Sequence, residues 1–177
     1  MSQQAGANRN GIILSIVAIV ISMSALGVSV FEVTSLQDQQ KASVWPYLEI
    51  SRNYSGQGFE IRVANKGIGP ALVGDVEISL RGKTINSSND LDQIIIDTLG
   101  PERAFSYDTY RARDVSQQVI APGETAILFG VPWTADTREF VNVTASTIEA
   151  GGCFCSVYDD CWSVKIEDIP VPTEACR

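Results

Sequence analysis

Residues 11–31 read GIILSIVAIVISMSALGVSVF, a run of 21 positions with neither a charge nor a proline. At roughly 1.5 Å per residue, a helix of that length covers about 30 Å, the hydrocarbon thickness of a bilayer. A soluble chain of this size seldom offers a core that could surround such a helix on every side. A cleavable signal peptide is the competing reading, because Ala25-Leu26-Gly27 offers small residues at a cleavage point. The apolar run continues beyond that point through Val28, Val30 and Phe31, which favours an uncleaved anchor.

Within the run, Gly11, Ser15, Ala18, Ser22, Ala25 and Ser29 recur at alternating spacings of four and three. They form a heptad seam of small residues, while isoleucines, valines, Met23 and Leu26 take the remaining surface. Small residues let helix backbones approach closely in lipid, where packing drives association. The expected partners are therefore the bilayer itself and a transmembrane helix, either from a larger membrane complex or from a second copy.

Orientation follows from charge and cysteine. Arg9 precedes the run closely, whereas Lys41 follows it at a distance, a weak positive-inside signal. Cys153, Cys155, Cys161 and Cys176 crowd the C-terminal region, which suits an oxidising compartment. The expected organisation is a cytoplasmic tail over 1–10, a transmembrane helix over 11–31, a helical stalk and linker over 32–45, and a periplasmic domain over 46–177. Pro46 ends the stalk, because proline disfavours helical conformation at the residue before it. Trp45 and Tyr47 suit either a headgroup contact or the first core positions of the domain.

From Tyr47 onward the pattern changes to short runs with period two. Leu48-Glu49-Ile50, residues 59–63 and residues 73–80 alternate apolar and polar, as strands buried on one face do. Residues 126–131 follow the turn Pro122-Gly123-Glu124, and residues 140–145 read as a further strand. Leu91 to Ile96 fits a short helix capped at Asn89-Asp90 or, through its three isoleucines, a strand. The expected fold is mainly β, an antiparallel sandwich stabilised by disulfides.

The segment FEIRVANKGIGPALVGDVEISLRGK, with VIAPGETAILFGV about 40 residues on, resembles the immunoglobulin-like modules of bacterial surface and envelope proteins. The stretch Asn65-Lys66-Gly67-Ile68-Gly69-Pro70-Ala71 is also similar to a motif of small, uncharacterised single-pass membrane proteins of bacteria. The resemblance implies an immunoglobulin-like sandwich in a bacterial inner-membrane protein, and a role in binding, spacing or assembly. Asn65 to Pro70 lies between strands and lacks a third glycine, so dinucleotide binding is not expected. Glycine's tolerance of positive φ and the local bonding of asparagine account for its composition as a turn.

The chemistry available to the chain is narrow. The sequence contains no histidine, which removes Ser-His and Cys-His nucleophile pairs and imidazole metal sites. A net charge of −8 argues against a nucleic-acid partner. No cofactor and no catalytic residues are expected. Tyr107, Tyr110, Arg111 and Arg113 mix aromatic and cationic groups and form a possible partner surface.

The cysteines allow three readings. Their C-x-C, C-x5-C and C-x14-C spacings do not match paired zinc knuckles, so no metal is expected. A redox dithiol at the C-x-C is an alternative, although exchange sites more often use C-x-x-C at a helix start. Two structural disulfides are the favoured reading; four cysteines allow three connectivities, of which the preferred one joins Cys155 to Cys161 and Cys153 to Cys176. The first bridge requires the loop around Asp159-Asp160 to be looser than a two-residue turn.

Overall fold

The computed structural model describes residues 3–105 and 109–176, with side chains from Ile12 onward. Helix α1 runs unbroken over Gln3–Ser43. It is long and apolar enough to cross a membrane, and its described side chains from Ile12 through Thr34 are all exposed. A helix suits lipid because each backbone group finds its partner within the segment. Its serines obey the same rule, since the Ser22 hydroxyl donates to the Ala18 carbonyl at 2.8 Å and Ser24 donates to Val20 at 2.8 Å.

A separate folded unit begins at Ser43. Its strands are β1 (Leu48–Tyr54), β2 (Gly58–Asn65), β3 (Ala71–Leu80) and β4 (Lys83–Thr84). After helix α2 (Ser88–Leu99) come β5 (Arg111–Ala112), β6 (Val119–Ile120) and β7 (Thr125–Pro132). Helix α3 (Ala135–Thr144) precedes β8 (Ile148–Cys155), β9 (Cys161–Lys165) and β10 (Val171–Thr173). One antiparallel sheet has the order β1-β2-β7-β5, and the other runs β10-β9-β8-β3-β4 with β6 also paired to β3. The mainly β architecture with two antiparallel sheets is as expected from the alternating runs.

The alternation decides which faces meet. Phe59, Ile61 and Val63 on β2, Leu128 on β7, Leu80 on β3 and Phe154 on β8 are all buried in one apolar cluster. Burying a side chain of this size contributes about 1.5–3 kcal/mol each. Both helices add to the same core. Helix α2 inserts Leu91, Ile94 and Ile95, the three- and four-residue spacing of a helix face. The open choice at Leu91 to Ile96 is thereby settled as helix, and its cap is Ser87 rather than Asn89 or Asp90. The Ser87 hydroxyl accepts from the Asp90 backbone N–H, and Asp90 reaches back to the Ser87 N–H.

The expected strand at 140–145 is instead the C-terminal half of helix α3 and the start of the 3-10 turn that follows it. Thr134 and Thr137 form a reciprocal cap, with the Thr134 hydroxyl accepting from the Thr137 N–H at 3.1 Å. The buried positions Thr137, Phe140, Val141 and Thr144 then share one helical face. Val141 to Ala145 do alternate apolar and polar, but the cap and the longer period prevail. Arg103 ties the preceding loop to α3 through Asp136 at 3.0 Å and Glu139 at 2.5 Å. That guanidinium holds the Glu139 carboxyl below the usual glutamate range.

Candidate functional site

Asn65, at the end of β2, is fully buried and bonded on every side. Its side-chain oxygen accepts from the Tyr47 N–H at 3.2 Å and the Gly67 N–H at 3.0 Å. Its amide nitrogen donates to the Gly69 carbonyl at 2.8 Å and the Ile120 carbonyl at 2.9 Å. Two donors and two acceptors are thus all used, and the partners dictate which way the amide faces. The backbone of Asn65 completes the knot, donating to Glu124 at 3.0 Å and accepting from Gly123 at 2.8 Å. One residue therefore joins the chain's entry into the domain, its own turn, the end of β6 and the turn before β7.

The turn after Asn65 closes on the entry segment Val44 to Tyr47. Lys66 donates to the Tyr47 carbonyl at 2.8 Å, while Ile68 and Gly69 donate to the Trp45 carbonyl at 3.0 and 3.2 Å. The contact leaves no room for side chains. A Cβ on Gly69 would sit 1.7 Å from the Val44 carbonyl oxygen, and one on Gly67 would sit 2.4 Å from the Tyr47 nitrogen. Neither glycine adopts a positive φ, in contrast to Gly82, Gly100 and Gly123. The expectation that this turn uses glycine for its left-handed conformations is corrected: close backbone approach is the cause.

Trp45 is half-exposed and belongs to this clasp. Its ring meets Tyr47 edge-on at 6.0 Å and lies 6.4 Å from Trp162, which stacks on buried Phe154 at 5.6 Å. Such aromatic pairs add about 0.5–1.5 kcal/mol beyond simple burial. Lys66 pairs with Glu49 at 2.6 Å on the exposed side. Of the two readings for Trp45 and Tyr47, the one that places them in the domain describes their contacts.

The four cysteines gather beside the clasp, where Leu72 of β3 pairs with Cys155. They are joined as Cys155–Cys161 and Cys153–Cys176, the favoured pairing. Cys155 and Cys161 face each other directly in the ladder, and Ser156 to Asp160 supply the looser loop between them. Ser156 donates to the Asp160 carbonyl at 2.8 Å, so the cysteine pair falls at the next, non-hydrogen-bonded position, where strands lie closest. Cys153 and Cys155 share one face of β8 without bonding each other. In this bonded state the sulfurs offer no thiolate to a metal.

The possible partner surface at Tyr107 to Arg113 does not hold together as expected. Tyr110 is buried, and its hydroxyl donates to Asp92 at 3.2 Å while its ring lies 6.2 Å from Phe129. An apolar floor beneath that loop claims the ring as core. Arg111 and Arg113 are exposed, and Arg113 donates to Gln118 at 3.0 Å. Tyr107 lies outside the described residues. A cleft of about 370 Å³ opens beside Tyr110 and Arg113, floored by Ile78, Leu91, Val115 and Leu128. Nearby Asp114 stays below the usual aspartate range because the Ser116 backbone and hydroxyl donate to it.

The seam of α1 consists of described, exposed side chains at Ser15, Ala18, Ser22, Ala25 and Ser29, while the Gly11 position lies outside the side chains described. No protein-family description, curated protein or solved structure matches the chain.

Proposed function

We propose that the protein is a non-catalytic accessory or assembly subunit, anchored by one helix in a bacterial inner membrane. Its N-terminus is cytoplasmic and its immunoglobulin-like domain is periplasmic. Helix and domain together bind a membrane-protein partner. The observation that carries this reading is the entry into the domain. Four residues separate α1 from β1, and they are clasped by the Asn65 turn rather than left as a glycine- and serine-rich tether. A domain attached so shortly suits a subunit that presents its surface close to the end of its anchor. Paired cysteines suit the oxidising side of the membrane.

The seam supplies the test. Leucines at Ala18, Ser22 and Ala25 preserve hydrophobicity but fill the groove that close packing requires. The expected result is at least a tenfold loss of association in a membrane two-hybrid assay, and loss of the co-purifying membrane protein after mild detergent extraction of the tagged full chain. Association unchanged in both assays overturns the proposal.

A further inference from the structure

The two bridges are not independent staples placed at a distance. The Sγ atoms of Cys155, Cys161 and Cys176 all lie within 4.8 Å of one another, and Cys153 is bonded to the third of them. Three features of the fold bring them together. Cys153 and Cys155 occupy alternate positions on the outer face of β8, and Cys161 stands opposite Cys155 on β9. On the other side of β8, Gly74 occupies an irregularity in the pairing of β3. A Cβ there would come within 2.9 Å of both Cys153 Sγ and Cys176 Cβ, so the missing side chain is the space in which the C-terminal cysteine lies.

We propose that the four cysteines form a single thiol–disulfide exchange unit, in which reduction of the outer bridge by a dithiol is passed to the inner bridge through Cys176. Cys153 and Cys176 are half-buried, and Cys176 follows the exposed residues Glu174 and Ala175, so the outer bridge can be approached from solvent. Cys161 is buried and is reached more readily from within the cluster.

The chemistry balances in two stages. A thiolate of the external dithiol attacks Cys153 Sγ, the Cys153–Cys176 bond breaks, and its electron pair leaves on Cys176. The second thiol of the reagent then displaces Cys153 and closes the reagent into its own disulfide, so the reagent loses two electrons and the protein gains them. The Cys176 thiolate next attacks the sulfur of Cys155 or Cys161. The bond between those two breaks, its electron pair leaves on the other sulfur, and that sulfur takes a proton from water. This second stage moves a bridge without net oxidation or reduction, and its rate rises with the thiolate fraction of Cys176. This unit stands independently of the accessory-subunit reading.

The test uses the full chain in mild detergent near pH 8, treated with less than one equivalent of dithiothreitol. Samples are acid-quenched, alkylated and mapped by mass spectrometry while tryptophan fluorescence monitors the fold. Expected are new peptides joining Cys176 to Cys155 or Cys161, at native fluorescence and independent of protein concentration. Native bridges alone, or statistical mixing that includes Cys153–Cys161, overturn the proposal. The variant Cys153→Ser gives a second reading if it folds. The exchange unit predicts that Cys176 is bridged to Cys155 or Cys161 in part of the population, whereas simple staples leave Cys155–Cys161 complete and Cys176 fully alkylated.

Discussion

Replacing Asn65 by alanine is expected to destabilise the β unit by about 4 kcal/mol, lowering its thermal midpoint by about 15 °C. The size follows from what is left behind rather than from the bonds removed. The Tyr47 and Gly67 N–H groups and the Gly69 and Ile120 carbonyls all lose their partner in one substitution. Each buried orphan costs about 1–3 kcal/mol, and water entering beside the half-exposed Trp45 recovers part of the sum. Aspartate is not a conservative replacement, because it would set an acceptor against two carbonyls. Tryptophan fluorescence during denaturation measures the loss directly, since Trp45, Trp133 and Trp162 all belong to this unit. A loss below about 1 kcal/mol would refute the role given to the buried amide.

Gly69→Ala is expected to cost about 3 kcal/mol by a different route. The obstructing atom is the Val44 carbonyl oxygen, a backbone group with no rotamer to adopt, so the entry segment must move away. The bonds from Ile68 and Gly69 to the Trp45 carbonyl should go with it. The expected signature is a red shift of the Trp45 contribution and faster tryptic cleavage after Lys66. Gly56→Ala is the matched control, since nothing lies within 4 Å of its would-be Cβ. Its effect should stay within about 0.5 kcal/mol. Asn65→Ala and Gly69→Ala break the same contact, so their double variant should lose clearly less than the sum.

Much of this architecture could be read along the chain, because the governing forces act locally. The membrane-length helix is announced by the uncharged run 11–31, and the strands by period-two burial such as that of Phe59, Ile61 and Val63. The cysteine spacings favour two bridges, but which sulfur joins which is fixed by the β8–β9 register and the return of Cys176 to β8. Where the reading went astray, a distant partner or a longer period decided the matter. Gly67 and Gly69 look like residues of a left-handed turn, yet what they accommodate is a backbone some twenty positions earlier, which no local propensity records. Val141 to Ala145 alternate as a strand would, but the Thr134 cap commits that stretch to a helix. Tyr110 carries a polar tip in a charged sequence, and the apolar floor that claims its ring is assembled from three other elements.

The clasp also has a mechanical consequence. A pull transmitted through Ser43 meets the entry segment first, and there the Trp45 carbonyl and the Tyr47 peptide are held across the Asn65 turn before the β1–β2 ladder begins. Tension would be borne by that short set of bonds while the hairpin behind it kept its register. Yielding at the clasp alone would free four residues, whose full extended length is about 14 Å. The junction would then act as a fuse, lengthening the tether under load and leaving the sandwich folded.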